Sequence, residues 1–347
     1  MSRQETNQSS GLGSVRRRAV DPTQLVTTAP MDPKGSPLPL AIRPAADGVA
    51  LAEWAAVHRD EVDSYLDRHG AVLFRGFDMS DVDDFESVAN ALVPDLFAEY
   101  GDLPPESASA RVYGSTPYPP DKMILFHNES AHLPTWPLRQ FFFCVVPAQE
   151  RGETPILDCR LVCELLDQQL IDEFEQKGLV YVRNFAEGFD VPWQDFFKTS
   201  DRAKVERVCA ESGIEYEWTP VGLRLRQHSP AVTRHPRTGE RLFFNQIQLH
   251  HVACLDPETR DSLRALFAED DMPRNVYFGD GTLIPDEVLH RIGVIYEEAC
   301  VEFSWERGDM LAVDNMIVAH ARRPYVGPRK MLVAMGQMVG SEQAAAN

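Results

Sequence analysis

Apolar residues recur along the chain with two spacings, one typical of helices and one typical of buried strands. The stretch LAEWAAVHRDEVDSYLDRHG at 51–70 has helical spacing, and Gly70 favours a helix C-terminus at its end. The run AVLFRGF that follows predicts a buried strand, and SDVDDFESVANAL predicts a helix capped by Ser80. The first part of the chain is therefore expected to alternate helices and strands.

The remainder of the chain contains many short strand-like runs and few long helices. Between 214 and 250, β runs alternate with turn sequences, and FFNQIQLHH at 243–251 reads as a strand with unusual polar positions. The last block holds the strand-like runs CVEFSW, MLAVDN, IVAHAR and KMLVAMGQ. Strands are also predicted at 123–129 and 139–146, and helices at about 160–177, 256–268 and 286–298.

Short strands without regular crossover helices argue against a doubly wound parallel sheet. They favour a mostly β protein with flanking helices, built as a double-stranded β-helix, or jelly roll. Because the β runs can belong to one barrel, residues 39–340 are predicted to form a single domain. Residues 1–38, rich in Ser, Gln, Thr and Pro and without periodicity, are predicted to be a disordered N-terminal arm.

Charge and composition narrow the function by exclusion. The net charge of −19 argues against nucleic-acid binding, which requires a clustered basic surface. No run is long enough to span a bilayer and no signal-peptide pattern is present, so we expect a cytoplasmic protein without a membrane partner. The six cysteines form no CxxC pair and are predicted to be reduced thiols.

The stretch MILFHNESAH at 123–132 places polar groups directly after an apolar run. Because residues i and i+2 of a strand point to the same face, His127 and Glu129 are predicted to lie side by side, with Asn128 pointing away. His320, inside the apolar run IVAHAR, supplies a third candidate ligand. Two imidazoles and one carboxylate can bind non-haem Fe(II) and leave positions open. On these residues alone, a metal site and a core histidine at position 127 remain equally supported.

Three motifs in this order resemble those of the TauD/TfdA family of Fe(II)- and 2-oxoglutarate-dependent oxygenases. They are HNES, GETPILD and DNMIVAHARRPYVGPRK, and the resemblance extends from about residue 71 to residue 337. The motifs are most similar to the syringomycin-type branch, which acts on amino acids or their derivatives. The resemblance implies a jelly-roll dioxygenase that uses Fe(II), 2-oxoglutarate and O2.

The resemblance assigns the metal ligands to His127, Glu129 and His320. It assigns 2-oxoglutarate binding to Thr154 and Arg329, and Arg322 and Arg323 remain alternatives to Arg329. A planar guanidinium suits bidentate recognition of a carboxylate, and a hydroxyl supplies one small donor. Because Glu129 occupies a position at which halogenating relatives carry a small residue, hydroxylation is expected rather than halogenation.

The sequence contains fewer signals for the residues that bind the substrate. Asn128, beside the ligands, and Asn245, in the polar run, are predicted substrate contacts, although an edge strand with a solvated face also explains Asn245. Asp314 and Asn315 precede His320 and either orient the ligands or only shape a tight turn. The expected substrate is a small molecule, an amino acid or a derivative, either free or tethered to a carrier protein.

Several alternatives remain open at this stage. Desaturation, epoxidation and cyclisation are possible outcomes beside hydroxylation. A cupin-like metal enzyme that does not use 2-oxoglutarate, and a non-catalytic jelly roll that binds a metal, are alternatives from other functional classes. Thr154 and Arg329 discriminate between the first alternative and a 2-oxoglutarate enzyme, because only a dicarboxylate co-substrate requires both.

Overall fold

The computed structural model describes residues 25–31, 35–98, 106, 111–186, 188, 191–220 and 222–340. The strands are β1 (Val26–Pro30), β2 (Leu40–Pro44), β3 (Ala71–Phe74), β4 (Tyr113–Gly114), β5 (Ile124–His127), β6 (Thr135–Val146), β7 (Glu150–Arg151), β8 (Ile156–Asp158), β9 (Leu179–Ala186), β10 (Glu215–Thr219), β11 (Gly222–Ser229), β12 (Val232–Arg234), β13 (Arg241–Phe243), β14 (Arg274–Phe278), β15 (Met310–Asp314), β16 (Val318–Arg322), β17 (Tyr325–Val326) and β18 (Lys330–Gly340).

The α-helices lie in two parts of the chain, before β4 and between β8 and β15. They are α1 (Leu51–Val57), α2 (Arg59–His69), α3 (Val82–Leu92), α4 (Cys159–Leu165), α5 (Gln168–Lys177), α6 (Trp193–Phe196), α7 (Arg202–Glu211), α8 (Ile247–His250), α9 (Pro257–Leu266) and α10 (Asp286–Ala299). Short 3-10 helices lie at Val252–Cys254 and Glu269–Asp271. No helix of the described residues is long and apolar enough to cross a membrane.

Two sheets enclose the central core. The larger has the strand order β1-β2-β3-β15-β6-β18-β4 and is antiparallel except between β2 and β3. The smaller has the order β5-β16-β8. Side chains of both sheets share one buried cluster, which includes Trp136 and Phe142 of β6 and Val318 of β16. The prediction of a mostly β protein with flanking helices is confirmed.

Helices cover the outer face of the larger sheet. Trp54, Val62 and Phe85 of α1, α2 and α3 share a buried cluster with Phe141 and Phe143 of β6. Phe142 points to the opposite face, so both faces of β6 are covered. A strand buried on both faces needs apolar residues at every position, which explains the continuous run FFFC in the sequence. On the far side of the smaller sheet lie α4, α5, α10 and a four-stranded sheet of order β10-β11-β9-β14.

The N-terminal boundary differs from the prediction. β1 pairs with β2 in antiparallel register, with Val26 opposite Pro44, although residues 1–38 were expected to be disordered. The side chains of β1 after Val26 are exposed, so backbone pairing at the sheet edge holds the strand and no buried face leaves a periodic pattern. The prediction of a disordered arm is therefore wrong for the residues of β1. Residues 1–24 and 32–34 of the predicted arm lie outside the residues that the structure describes.

Other elements differ in their bounds. The helix predicted over 51–70 is interrupted at His58, whose ring stacks on Trp54 with centroids 4.6 Å apart. The cap of α3 is Asp81, not Ser80, and its carboxylate accepts the Asp84 N–H at 3.0 Å. The run CVEFSW forms only a single bridge between Val301 and Ile156. The predicted polar strand at 243–251 ends at Phe243 and continues as α8.

Candidate active site

The three candidate metal ligands lie together on the smaller sheet. One ligand atom from each of His127, Glu129 and His320 lies within 4.8 Å of the others. His127 ends β5 and is the direct cross-strand partner of His320 in β16, and the two ring centroids are 4.3 Å apart. The structure thus brings together the three residues that the sequence motifs single out.

Glu129 reaches this position from a turn, not from the strand that its spacing suggested. β5 ends at His127, and Ser130 in the following turn has a positive φ of 57°. Asn315 holds the turn: its Oδ1 accepts the Glu129 N–H at 2.6 Å, and its Nδ2 donates to the Glu129 carbonyl at 2.9 Å. The same Nδ2 donates to the Pro137 carbonyl at 2.9 Å. Of the two roles considered for Asn315, the structure favours orientation of a ligand.

Hydrogen bonds fix which ligand atoms are available. His127 Nδ1 lies 2.8 Å from the Leu125 carbonyl. Because a carbonyl can only accept, Nδ1 carries the hydrogen and Nε2 keeps its lone pair. Gln140 Nε2 donates to Glu129 Oε2 at 3.1 Å, so this amide orients the carboxylate.

His320 is in a state suited to metal binding. Burial, followed by the charge of His127, holds the pKa of His320 well below its usual range, so its imidazole is neutral. Its Nδ1 is buried and has no hydrogen-bond partner among the described residues. Two imidazoles and an oriented carboxylate are a donor set that fits Fe(II) and similar divalent metals.

A cavity extends from the triad between the two sheets. Phe142 forms part of its wall and meets the His320 ring edge-on, with centroids 5.0 Å apart. Apart from the three candidate ligands, the described residues that line the cavity are Ser115, Thr116, Ile124, Gln140, Phe142, Thr154, Ala321, Arg322, Arg329, Met331 and Val333. Thr154 and Arg329, predicted as co-substrate residues, therefore face the same cavity as the triad.

The hydrogen bonds that Thr154 and Arg329 make within the protein leave donors on both side chains for a ligand in the cavity. Thr154 Oγ1 accepts from Trp305 Nε1 at 3.1 Å, so its own hydroxyl hydrogen is free for another acceptor. Arg329 Nε donates to the Gly152 carbonyl at 3.2 Å. Gly152 has φ of 77°, and a Cβ there would lie 3.0 Å from the Cβ of Tyr325, so glycine is required beside this arginine.

The three arginines near His320 have different surroundings. Arg323 is paired with Glu297 and Glu302, which excludes it from the cavity. Arg329 and Arg322 line the cavity, and neither forms a salt bridge with the described residues. Burial, then the charge of Arg322, lowers the pKa of Arg329 to about 10. Arg322 is buried and Arg329 is half-buried, and two such cations without acid partners favour a ligand with more than one negative charge.

Asn128 and Asn245 do not line the cavity, in contrast to the prediction that they contact substrate. Asn128 is 1% exposed, and its Nδ2 donates to the Asn315 carbonyl at 2.7 Å while its Oδ1 accepts the Asn245 N–H at 3.2 Å. Asn245 Oδ1 accepts the Ile247 N–H at 3.1 Å. The Asn128 amide and the Asn245 side-chain oxygen thus satisfy backbone groups of the protein, and neither residue is among those that line the cavity.

A second group of acids and a histidine lies behind the active site. Asp67, His235 and Asp314 also bring possible ligand atoms within 4.8 Å of one another. The Arg139 guanidinium contacts Asp314 and, at 2.9 Å, Asp63. A buried cation already occupies this cluster, so it is an ion-pair network and not a second metal site.

Comparisons with known proteins agree with this geometry. The family described as taurine catabolism dioxygenase TauD, TfdA family matches residues 34–335. Dapdiamide synthesis protein DdaC of Enterobacter agglomerans is 34% identical over 303 residues, which cover 87% of this chain and 92% of that protein. Clavaminate synthase-like protein At3g21360 of Arabidopsis thaliana is 30% identical over 322 residues, covering 87% and 94%.

A solved structure shows the same fold. PvcB from Pseudomonas aeruginosa aligns with a TM-score of 0.54 at 15% identity, covering 94% of this chain and 96% of that chain. PvcB is described as an Fe, alpha-ketoglutarate dependent oxygenase from an isonitrile synthetic pathway. The predicted family is confirmed, and neither a cupin-like enzyme without 2-oxoglutarate nor a non-catalytic jelly roll finds support. The chain belongs to the TauD/TfdA family and is a non-haem dioxygenase that depends on Fe(II), 2-oxoglutarate and O2.

Proposed function

We propose that this dioxygenase hydroxylates an unactivated C–H bond of an amino acid or amino-acid derivative in specialised metabolism. In the overall reaction, one oxygen atom of O2 enters the substrate as a hydroxyl group. The other enters succinate as 2-oxoglutarate loses CO2. His127, Glu129 and His320 hold Fe(II), and Thr154 and Arg329 bind 2-oxoglutarate.

The observation that carries this assignment is the shared cavity of the triad and Arg329. Arg329 is half-buried, and a partly desolvated guanidinium without a salt bridge to an acid is unfavourable. A carboxylate of 2-oxoglutarate supplies the missing charge by a bidentate, charge-assisted hydrogen bond. The Thr154 hydroxyl, already oriented by Trp305, supplies a further donor to a carboxylate oxygen.

The remaining residues orient the ligands and exclude water. Bound Fe(II) would activate O2, the oxidant, and 2-oxoglutarate would supply two of the electrons, a redox chemistry that the protein's own side chains lack. Asn315 and Gln140 fix Glu129, and Phe142, Met331 and Val333 provide apolar wall that keeps the reaction from solvent. Because Glu129 supplies a carboxylate ligand, no position is reserved for a halide, which supports hydroxylation over halogenation.

Two considerations support an amino-acid substrate. The motifs resemble the branch that acts on amino acids or their derivatives, and the name of DdaC places that relative in dapdiamide synthesis.

We further infer that the larger and smaller sheets form a double-stranded β-helix within one domain, whose first strand is β1. A comparison of free amino acids with the same groups tethered to a carrier protein distinguishes the two forms of the substrate.

A coupled assay tests the proposed reaction. The protein with Fe(II), 2-oxoglutarate and O2 is incubated with a panel of free amino acids and the same aminoacyl groups tethered to a carrier protein. We expect at least one substrate to stimulate succinate formation and to gain the mass of one oxygen atom, with one succinate per product. Glu129→Ala serves as the control and is expected to form no product.

Other outcomes of this assay have defined meanings. A product that loses two hydrogens and gains no oxygen would contradict hydroxylation and indicate desaturation or cyclisation. Succinate formation that no amino acid or derivative raises above the substrate-free rate would contradict the proposed substrate class. Faster turnover of the tethered form than of the free amino acid would identify the carrier-bound group as the substrate.

A further inference from the structure

Arg322 is a buried guanidinium that contacts backbone carbonyls and no acid. It is 7% exposed and lies two residues after the candidate ligand His320. Its Nη1 donates to the Tyr118 carbonyl at 3.2 Å, and its Nη2 donates to the carbonyls of Pro119 at 2.6 Å and Lys122 at 2.7 Å. Its Nε–H is buried and has no acceptor among the described residues. This arginine therefore retains an unused donor, and carbonyl groups and the rings of Tyr118 and Tyr325, but no acid, stabilise its charge.

The three carbonyls belong to residues 115–122, which we call the strap. The strap leaves the sheet edge after β4, where the Ser115 N–H donates to the Met331 carbonyl at 3.2 Å. Ser115 and Thr116 line the cavity, and residues 116–122 are exposed on their outer side. Apart from the bonds to Arg322, the Tyr325 N–H donates to the Pro120 carbonyl at 2.8 Å. Arg322 therefore supplies most of the described hydrogen bonds that hold the strap against the cavity.

Arg322 and Arg329 face the same cavity, and their positive charges repel each other. Neither has a salt bridge in the part of the chain that the structure describes, whereas Arg323, next in sequence, is fully paired with acids. Two like charges at one cavity, one buried and one half-buried, are unfavourable without an anion, and an anion in the cavity would stabilise both. A ligand that favours the buried position of Arg322 also favours the strap contacts that this position makes.

We propose that Arg322 is a second binding residue for the negative charge of the co-substrate and that it couples co-substrate binding to the strap. The inference rests on the proposed function. In this arrangement the Nε–H donates to a carboxylate oxygen while the two Nη groups hold the strap carbonyls. Binding of the dicarboxylate thus fastens the outer wall of the cavity before the primary substrate is oxidised.

Two measurements on the Co(II)-loaded protein under anaerobic conditions test this coupling. The first is the Kd of 2-oxoglutarate by calorimetry. The second is the rate at which trypsin cleaves after Lys122, an exposed strap residue, read by mass spectrometry with and without 2-oxoglutarate. In the wild type, 2-oxoglutarate should slow this cleavage about tenfold, which corresponds to about 1.4 kcal/mol and is near the contribution of one charge-assisted hydrogen bond.

Variants separate the coupling from simple support of the strap. Arg322→Gln should weaken 2-oxoglutarate binding about tenfold or more. It should also remove the protection of Lys122 by 2-oxoglutarate. Arg322→Lys keeps the charge but cannot reach all three carbonyls, so it should bind 2-oxoglutarate better than Arg322→Gln while the strap stays susceptible. Arg323→Gln is the matched control and should match the wild type in both measurements, because Arg323 is paired with Glu297 and Glu302.

The results that would overturn the inference are distinct from those that bear on the proposed function. If Arg322→Gln and Arg322→Lys bind 2-oxoglutarate as the wild type does, Arg322 only supports the strap and the inference is wrong. If 2-oxoglutarate binds the wild type without changing cleavage after Lys122, the coupling is absent. A wild-type protein that binds Co(II) but not 2-oxoglutarate would overturn the inference together with the proposed function.

Discussion

Replacing His320 by alanine is expected to weaken the binding of a divalent metal by more than about 100-fold. Residues that only orient a metal ligand already change affinity by about 10- to 100-fold, and His320 is proposed to donate directly to the metal. The same change should abolish metal-dependent stabilisation. A metal that binds only the folded state adds about 2.7 kcal/mol to the free energy of unfolding at a free concentration of about 100 times Kd.

Calorimetry and thermal unfolding with Co(II) under anaerobic conditions measure both effects. His132→Ala is the matched control: it removes a nearby imidazole that packs against Tyr181 and His250 and is not part of the triad. It should bind Co(II) as the wild type does. If His320→Ala bound Co(II) as tightly as the wild type, or His132→Ala lost as much affinity, the assignment of the ligands would be wrong.

Replacing Asp314 by alanine is expected to cost about 3–5 kcal/mol in the free energy of unfolding, because it leaves a buried charge unpaired. Asp314 and Arg139 are both fully buried and form an ion pair. Asp314 also accepts from His235 Nε2 at 3.0 Å. The effect should fall at the lower end of the range, since Asp63 remains 2.9 Å from Arg139.

The same substitution should also weaken metal binding. Asp314 Oδ1 accepts the N–H groups of Met316 and Ile317 at 3.0 and 3.1 Å, which shapes the turn between β15 and β16. That turn carries Asn315, which holds Glu129, and leads into the strand of His320. Loss of the turn would therefore misplace two candidate ligands together.

The pH dependence of stability supplies a second readout for Asp314. Burial alone would raise its pKa, but the charge of Arg139 and the bond from His235 outweigh burial and lower the pKa below 3.8. A carboxyl with a depressed folded-state pKa stabilises above the unfolded value and loses this contribution as pH falls through the folded value. Urea unfolding should therefore show less loss of stability below pH 3.8 in Asp314→Ala than in the wild type.

The control for Asp314 is an exposed ion pair. Asp286 accepts from Arg264 at 2.8 Å with both side chains exposed, and Asp286→Ala should change the free energy of unfolding by less than about 1 kcal/mol. Equal destabilisation by the two substitutions would contradict the importance assigned to the buried network. A loss of stability in Asp314→Ala with unchanged Co(II) affinity would contradict its effect on the ligands.

The sequence was sufficient to predict the helices and strands that have a buried periodic face, and to identify the residues of the three motifs. The strands that carry His127 and His320, and the helices α9 and α10, lie close to the predicted positions. The sequence predicted that His127 and Glu129 lie close together, but the reason for that prediction was partly wrong. Strand spacing suggested it, but a turn held by Asn315 produces it, and that contact joins residues 186 positions apart.

Other features depend on contacts that no local pattern encodes. β1 is held by backbone pairing, and the buried Asn245 side chain accepts the Ile247 N–H. Gln140 was not anticipated, although one signal was available: with Arg139 it forms a polar pair directly before the apolar run FFFC of β6. The sequence could not exclude Arg323 as an alternative to Arg329, because that exclusion depends on Glu297 and Glu302 lying near Arg323 in the fold.

We propose that His127, Glu129 and His320 hold Fe(II) and that Arg329 helps to bind 2-oxoglutarate at this metal. The most direct test is an anaerobic titration of Fe(II) into the apo-protein with 2-oxoglutarate, followed by its weak visible metal-to-ligand charge-transfer band. We predict a band in the wild type that is absent in His127→Ala and weaker in Arg329→Ala. Bound Fe(II) without this band in the wild type would contradict the claim.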